Sequence, residues 1–225
     1  VPFRRELAQL VARRPSGDAV VWPLVQTVQR DSICAEVLAP APHASRIQPL
    51  VDDIARSIAE GLQVTGVLAV EMFETDDGRV LVNELAMRPH NSGHWTIDGS
   101  VTSQFEQHLR AVLDLPLGST AILAPASVMI NVIGGPASGA MADRYASALA
   151  SHPDVKVHSY AKATRPGRKV GHVTAIGDDM DEVQKQVNRL GNGDQVRQER
   201  QPIVQRVDLF DRIRQRSPRH QLHRV

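Results

Sequence analysis

The sequence lacks three features that would each indicate a particular class of protein. It has one cysteine, Cys34, which excludes an intramolecular disulfide and fits a reducing compartment. No apolar run reaches the roughly 18 residues that a transmembrane helix needs. The 26 basic and 25 acidic side chains nearly cancel, so no overall positive charge points to a nucleic acid. We therefore expect a globular protein of the cytoplasm, with neither nucleic acid nor membrane as a partner.

The two ends of the chain differ from the rest. The chain begins at Val1 without a methionine or a signal peptide, so we expect it to be the later part of a longer polypeptide. Residues 195–225 hold eight arginines against three acidic residues, a net charge of +5. One interpretation of this tail is a basic arm for RNA or a partner. We favour a solvated, poorly ordered C-terminus, because no aromatic platform accompanies the arginines.

Strand-like and helix-like segments follow one another irregularly, which predicts an α+β fold. The segments 19–29 and 32–39 are predicted to be antiparallel strands joined at Arg30-Asp31, with Pro23 at an edge or a bulge. Further strands are predicted at 66–75, 79–85, 126–133, 155–160 and 170–176, and helices at 47–62, 101–113, 140–150 and 179–190.

One hairpin places two acidic side chains together. If Asp77-Gly78 is a two-residue turn, Asp76 pairs with Arg79, and Glu71 then stands directly opposite Glu84. Phe73, Val80 and Val82 would share their face. Two like charges opposite each other destabilise a sheet unless a cation lies between them, and Mg²⁺ suits such a pair when phosphates complete its shell. The alternative is a solvent-facing hairpin whose acids do not interact.

The loop after this hairpin, Arg88 to Trp95, is rich in polar side chains. Arg88 offers a rigid fork of donors for a phosphate or a carboxylate, and His90 can move a proton near neutral pH. His90 and His94 have the spacing of zinc ligands on a helix, but Pro89 and Gly93 make a helix unfavourable there, so we do not expect zinc.

A second basic cluster runs from Lys162 to His172 and contains the turn Arg165-Pro166-Gly167-Arg168-Lys169. Lysine and arginine in such a turn can bind an anion or stabilise developing negative charge. An exposed basic hairpin turn is the other interpretation, and composition leaves both open.

Three segments together resemble one enzyme family. NELAMRPHNSGHWTIDGSVTSQFEQHLRAVLDLPLG, SVMINVIGG and RPGRKVGHV are similar to N5-carboxyaminoimidazole ribonucleotide synthases, the ATP-grasp ligases of bacterial and fungal purine synthesis. The resemblance runs from Val1 to about Leu190. It implies ATP-dependent carboxylation of 5-aminoimidazole ribonucleotide by bicarbonate through carboxyphosphate, with ATP and Mg²⁺ (or Mn²⁺) as cofactors, in a cytoplasmic homodimer. Helix 101–113 and strand 126–133 are the candidate dimer elements.

The resemblance also implies roles for individual residues. Glu71 and Glu84 match the family's two metal ligands. The nucleotide contacts implied are Val1 in the hinge near adenine, Glu6 at the ribose, Gln29, Asn83 and Glu84. The catalytic residues implied are Arg88, His90 and Lys169. The substrate-binding residues implied are Arg88, His90, Asn91, Ser92, Arg165, Arg168 and Lys169.

The domain prediction follows the same resemblance. We expect the C-terminal part of an ATP-grasp domain at 1–117, a small β-rich subdomain at 118–192 and the basic tail at 193–225. The family's N-terminal half has no counterpart before Val1, and the tail has none in the family. Two alternatives stay open: an ATP-grasp ligase with another acceptor, such as a formate-dependent glycinamide ribonucleotide transformylase, and a truncated non-catalytic remnant.

Overall fold

The computed structural model describes residues 1–134 and 141–191, and this part of the chain is built around one antiparallel sheet. The sheet order is β6-β5-β1-β3-β4-β7-β9-β8, and β2 pairs with β1. Helices pack on its two faces, so the predicted α+β class is confirmed. The nine strands are β1 Arg5–Arg13, β2 Ala19–Val21, β3 Val25–Arg30, β4 Ile33–Ala39, β5 Gly66–Glu74, β6 Val80–Ala86, β7 Ala126–Ile133, β8 Lys156–Ser159 and β9 Lys169–Gly177.

The helices agree with the predicted segments, with two exceptions. The four-residue helix Thr96–Gly99 was not predicted, and the segment 140–150 is not a single helix. The predicted helix 140–150 is a 3-10 turn, Met141–Arg144, followed by a short helix, α4, while residue 140 lies outside the described residues. Within the described part, no helix is long and apolar enough to cross a membrane. The predicted tail 193–225 lies outside it. The α-helices are α1 Gln48–Gly61, α2 Thr96–Gly99, α3 Gln104–Val112, α4 Tyr145–Ser151 and α5 Met180–Gly191, and a further 3-10 turn spans Asn91–Gly93.

The strand β1 lies inside the sheet, although the sequence analysis assigned no element to residues 5–13. It pairs with β2, β3 and β5. Leu7 and Val11 pack into the cluster under α1, whereas Ala8, Leu10 and Ala12 pack into the cluster around Trp22 and Trp95 on the other face. A strand buried on both faces shows no alternation of apolar and polar residues, which is why its pattern is uninformative.

The predicted strand 19–29 is wrong in one respect, because it is two strands. β2 ends at Val21 and β3 begins at Val25, with Pro23 between them. Proline has no N–H group, so the ladder cannot run through it. The predicted hairpin of β3 and β4 is confirmed, but its predicted turn Arg30-Asp31 is wrong by one residue. Arg30 pairs with Ile33, and the two turn residues are Asp31 and Ser32, with φ of 52° and 61°.

The hairpin of β5 and β6 keeps the predicted pairing of Glu71 with Glu84 but reaches it differently. The loop is three residues long, since Thr75 bonds to Arg79 and Gly78 has a φ of 80°. Phe73 therefore stands opposite Leu81 and not Val82. A bulge beside Glu71 then shifts the register by one residue and restores the pair. The predicted turn is wrong and the predicted pair is right.

The sheet continues across the predicted boundary at residue 118. β4, from the first predicted domain, pairs directly with β7, from the second. A third core cluster lies where β7 and β9 pack against α5, through Val128, Val173 and Val187. The division into domains at 117 and 118 remains a prediction.

Candidate active site

A cleft of about 470 Å³ opens on one face of the sheet. Residues far apart in sequence converge there, because neighbouring strands present their same-face side chains together. The predicted site residues that line this cleft are Glu6, Gln29, Glu71, Asn83, Glu84, His90, Asn91 and Lys169.

Two carboxylates face each other on β5 and β6. Glu71 and Glu84 are direct cross-strand partners, with Glu6 on the same wall. Burial raises the pKa of Glu71 above its ordinary value, and the charges of Glu84 and Glu6 raise it further. Among the described residues, no group of three or more His, Cys, Asp or Glu side chains is arranged around a metal position. The pair is thus a two-carboxylate site, which suits Mg²⁺ when phosphate oxygens and water complete its coordination.

His90 lies against this pair. Its Nε2 is 3.4 Å from Oε1 of Glu71, and its Nδ1 lies 2.9 Å from the hydroxyl of Ser92. Burial, and then the charges of Arg88 and Lys169, lower the pKa of His90 to about 4. The imidazole is therefore neutral at pH 7 and can accept a proton or a hydrogen bond.

Gln104, at the start of α3, holds the backbone of this loop. Its fully buried side chain accepts a bond from the amide of His90 at 2.8 Å and donates to the carbonyl of His90 at 2.8 Å. Its Nε2 also lies 2.9 Å from Nδ1 of His94. Gly93 lies against the same side chain, where a Cβ would clash with Gln104 and Leu10. Sequence reasoning missed Gln104, because a single glutamine in a helix carries no signal.

Lys169 enters the cleft from the first residue of β9. Its Nζ donates to Oδ1 of Asn91 at 3.2 Å. Burial lowers the pKa of Lys169 below its ordinary value, while Cys34 and Glu71 act in the opposite direction. Asn91 in turn pairs with Asn131 of β7 through two bonds of 3.0 and 2.7 Å. Asn131 was not predicted, since it stands within an apolar strand.

The predicted basic turn forms a second cleft of about 720 Å³ that shares Lys169 with the first. Arg168 donates its backbone N–H to the carbonyl of Arg165, and Gly167 has a φ of 73°. This is a type II turn, with Pro166 and Gly167 at its two central positions. Arg165 and Arg168 line the second cleft together with Lys162.

Three predicted site residues are outside the lining of either cleft. Val1 is 83% exposed. Arg88 is exposed and bonds to the carbonyl of Pro89 at 3.1 Å, although its charge acts on Glu71 and His90. Ser92 is buried under His90 and fixes that ring.

Cys34 lies between the two clefts and lines both. Burial raises the pKa of its thiol to about 11, so it is a neutral part of the wall. Phe73 supplies an apolar surface beside Glu6, its partner across β1 and β5. Phe73 lies on the carboxylate face, as predicted, whereas Cys34 carried no signal beyond being the single cysteine.

Three imidazole rings stack on one another behind the loop from Arg88 to Trp95. His172 of β9 lies between His158 and His94, with ring centroids 4.4 and 5.2 Å away. His158 bonds to Asp98 of α2 at 2.7 Å, and His172 bonds to the hydroxyl of Tyr160 at 2.8 Å. Burial is the main cause that lowers the pKa of His94 to about 4 and that of His172 to about 3. The stack joins the loop that contains His90 and His94 to β8 and β9, and β9 also carries Lys169.

Comparison with known proteins identifies the family that the sequence resembles. The profile of the ATP-grasp domain matches residues 1–105, and that of the phosphoribosylaminoimidazole carboxylase C-terminal domain matches 127–186. A curated N5-carboxyaminoimidazole ribonucleotide synthase of Mycobacterium bovis is 56% identical over an alignment of 189 residues that covers 80% of this chain and 43% of that protein. The chain thus spans about half the length of the curated relatives it matches.

Solved structures lead to the same conclusion. The N5-carboxyaminoimidazole ribonucleotide synthetase of Thermus thermophilus is 42% identical with a TM-score of 0.77, over 85% of this chain and 51% of that one. The Aspergillus clavatus enzyme in complex with ADP and 5-aminoimidazole ribonucleotide is 39% identical with a TM-score of 0.77, over 84% and 51%. From its fold, its paired carboxylates and these relatives, the chain belongs to the N5-carboxyaminoimidazole ribonucleotide synthase family of ATP-grasp proteins.

Proposed function

We propose that the protein carrying this chain carboxylates 5-aminoimidazole ribonucleotide with bicarbonate and hydrolyses ATP to do so, in purine biosynthesis. The products are N5-carboxyaminoimidazole ribonucleotide, ADP and phosphate. The observation that carries the proposal is the convergence of the paired carboxylates, a neutral His90 and Lys169 in one cleft, next to a basic turn. The relatives named above carry the same activity in their names, which disfavours the formate-using alternative.

Glu71 and Glu84 are the residues proposed to hold Mg²⁺. Without a cation the two carboxylates repel each other. Burial and this repulsion both raise the pKa of Glu71. A bound Mg²⁺ would neutralise charge on the transferred phosphate of ATP. Glu6, Gln29 and Asn83 line the same cleft and are proposed to contact the nucleotide.

The remaining side chains suit the chemistry of the acceptor. His90 is neutral at pH 7, and its Nδ1 accepts the backbone N–H of Ser92, so the ring proton lies on Nε2, which can donate a hydrogen bond to an anionic reactant. Lys169 can hold an anionic carboxyphosphate, and Arg165 and Arg168 can bind the phosphate of the ribonucleotide. Carboxyphosphate hydrolyses readily, so we expect closure of the cleft to exclude water.

Release of ADP tests the proposal. The protein is incubated with Mg·ATP and bicarbonate, with and without 5-aminoimidazole ribonucleotide. ADP release that requires the ribonucleotide is the expected result, and Lys169→Ala should reduce it at least about a hundredfold, as removal of one charge-stabilising donor does. Dependence on formate and glycinamide ribonucleotide would overturn the choice of acceptor. Absence of both ADP release and Mg·ATP binding would instead indicate a non-catalytic remnant.

We also propose that the protein is a homodimer of the cytoplasm, a reducing compartment that suits its single cysteine. The support is an apolar face on α3, where Phe105, Leu109 and Val112 follow a helical spacing and are 41%, 60% and 40% exposed. Contiguous apolar surface of this kind marks protein interfaces.

Size-exclusion chromatography with light scattering measures the molar mass of the protein and so tests this surface. Leu109→Lys should convert a dimer into a monomer, because it buries a charge in the interface. Leu149→Lys on α4 is the matched control, since Leu149 is 44% exposed on another helix, and it should leave the dimer intact. A monomeric unaltered protein, or a dimer that tolerates Leu109→Lys, would contradict the proposal.

A further inference from the structure

Asn131 is a buried polar residue in the middle of an apolar strand. It stands on β7 within the run Ala126–Ile133, and it is 5% exposed. A buried amide destabilises a fold unless all of its hydrogen-bonding atoms are satisfied. Its three hydrogen bonds meet that need, and they connect the strand to two other elements.

A backbone atom fixes which way this amide points. Nδ2 of Asn131 donates to the carbonyl oxygen of Cys34 at 2.9 Å. A backbone carbonyl only accepts, so the nitrogen of Asn131 must face Cys34. The second proton of that nitrogen goes to Oδ1 of Asn91 at 2.7 Å, and Oδ1 of Asn131 accepts from Nδ2 of Asn91 at 3.0 Å.

The orientation is passed on to Lys169. Because each amide donates to the other, a half-turn of the Asn91 amide would place its Nδ2 against Nδ2 of Asn131 and its Oδ1 against Oδ1 of Asn131. Both contacts are unfavourable. Oδ1 of Asn91 is therefore held toward Nζ of Lys169, 3.2 Å away. A reversed amide would present an N–H₂ group to the ammonium and would repel it.

We propose that Asn131 is a positioning residue for the reaction: through Asn91, it holds a carbonyl oxygen against Lys169 and so keeps the ammonium charged and in place in the cleft. This inference rests on the proposed function only for its effect on turnover. The groups that act on the charge of Lys169 are Cys34 on β4 and Glu71 on β5, and Lys169 acts in turn on His90 and His94.

The pKa of Lys169, measured in the free protein, tests the orientation without any activity. The chain has four lysines, so [ε-¹³C]lysine labelling gives four NMR signals, and Lys169→Arg identifies the one of interest. Asn131→Leu keeps the approximate shape of the side chain and removes the amide that orients Asn91, whose Oδ1 is the acceptor for Lys169. It should lower the pKa of Lys169 by about one unit, the size expected for one hydrogen bond to a charged group.

Ser127→Ala is the matched control. Ser127 lies on the same face of β7, is 1% exposed and has no partner for its hydroxyl among the described residues, so its loss should leave the pKa of Lys169 unchanged. An equal pKa in Asn131→Leu and Ser127→Ala would overturn the proposal.

A second measurement needs no variant at position 131. In the unaltered protein both side-chain amide protons of Asn131 should exchange slowly with solvent, unlike those of exposed Asn83. Exchange as fast as that of Asn83 would also overturn the proposal.

Turnover gives the third readout. Asn131→Leu should lower kcat about tenfold and leave the KM for ATP unchanged, because no ATP contact is proposed for it. A changed KM with a constant kcat would contradict a role through Lys169. If the unaltered protein shows no turnover, the proposed function fails, whereas the pKa result still decides the role of Asn131.

Discussion

Glu71 and Glu84 occupy opposite positions on β5 and β6, where two negative charges are unfavourable. The raised pKa of Glu71 means that the fold favours the protonated side chain. A carboxyl group with a raised pKa lowers the stability of the fold when the pH is above its ordinary pKa of 4.5. This loss of stability disappears as the pH falls below 4.5. The arrangement thus lowers the stability of the metal-free fold at neutral pH.

Glu84→Gln should therefore stabilise the metal-free protein at pH 7 while abolishing Mg·ATP binding. The repulsion between Glu71 and residue 84 is then gone, although Glu6 still acts on Glu71, and the gain should be about 0.5 kcal/mol, within the range for like charges opposite each other on a sheet. Urea unfolding at pH 7 and at pH 3.5 measures it, and the gain should vanish at the lower pH.

Glu60→Gln is the matched control, because Glu60 is exposed on α1, away from the cleft. It should change neither stability nor binding. Destabilisation by Glu84→Gln at pH 7, with the fold intact, would show that the two carboxylates do not repel each other in the metal-free protein.

Among the elements, the 3-10 turn Asn91–Gly93 and the start of α3 form one rigid unit. Gly93 lies against Gln104 and Leu10 so closely that a Cβ would clash with both. Gln104 in turn bonds to both backbone groups of His90. Any residue larger than glycine at position 93 must therefore move the side chain that fixes the backbone of His90.

Gly93→Ala should destabilise the protein by about 1–3 kcal/mol, the range for overpacking in a core. It should also weaken activity by displacing His90. Gly61→Ala is the control: it ends α1 with open space around the added methyl group, and it should be neutral or slightly stabilising. Equal unfolding free energies for the two variants would contradict the packing described for Gly93.

The elements also show what sequence reasoning can reach. The carboxylate pair was predicted correctly although the turn was not, because two errors cancelled. The three-residue loop shifts the register by one residue, and the bulge beside Glu71 shifts it back. The strand β1 was not predictable, since Leu7 and Leu10 have a helical spacing and both faces are buried. Gln104 and Asn131 were missed because their roles come from residues distant in sequence.

Across the whole molecule, the histidine stack joins the two halves of the chain. His94, in the first half, lies against His172 in the second, and both have a lowered pKa, as does His90. A lowered histidine pKa gives stability that is fully present above the ordinary value of 6.5 and is lost as the pH falls toward the folded-state value. The protein should therefore lose stability between about pH 6.5 and 4.

His172→Phe should flatten this acid dependence. Phenylalanine keeps the stacking and cannot be protonated, so the slope of the unfolding free energy against pH should fall by about 1.4 kcal/mol per pH unit, the contribution of one proton. Chemical unfolding at half-unit steps from pH 7 to pH 4 measures the slope. An unchanged slope would mean that His172 takes up its proton equally in the folded and unfolded chain.

The continuity of the sheet sets the dimensions of the cleft. Five interstrand intervals separate β5, which carries Glu71, from β9, which carries Lys169, and a flat sheet would place these strands about 24 Å apart. Both side chains line one cleft, so the sheet must curve. The curvature brings β5 and β9 closer together in space than they would be in a flat sheet. The register irregularities fall beside Gln29, beside Glu71 and opposite Lys169, at Ile133, where bulges bend the strands. The reach from carboxylates to lysine is therefore a property of backbone curvature, and removing one bulged residue would alter it without touching any side chain that binds a substrate.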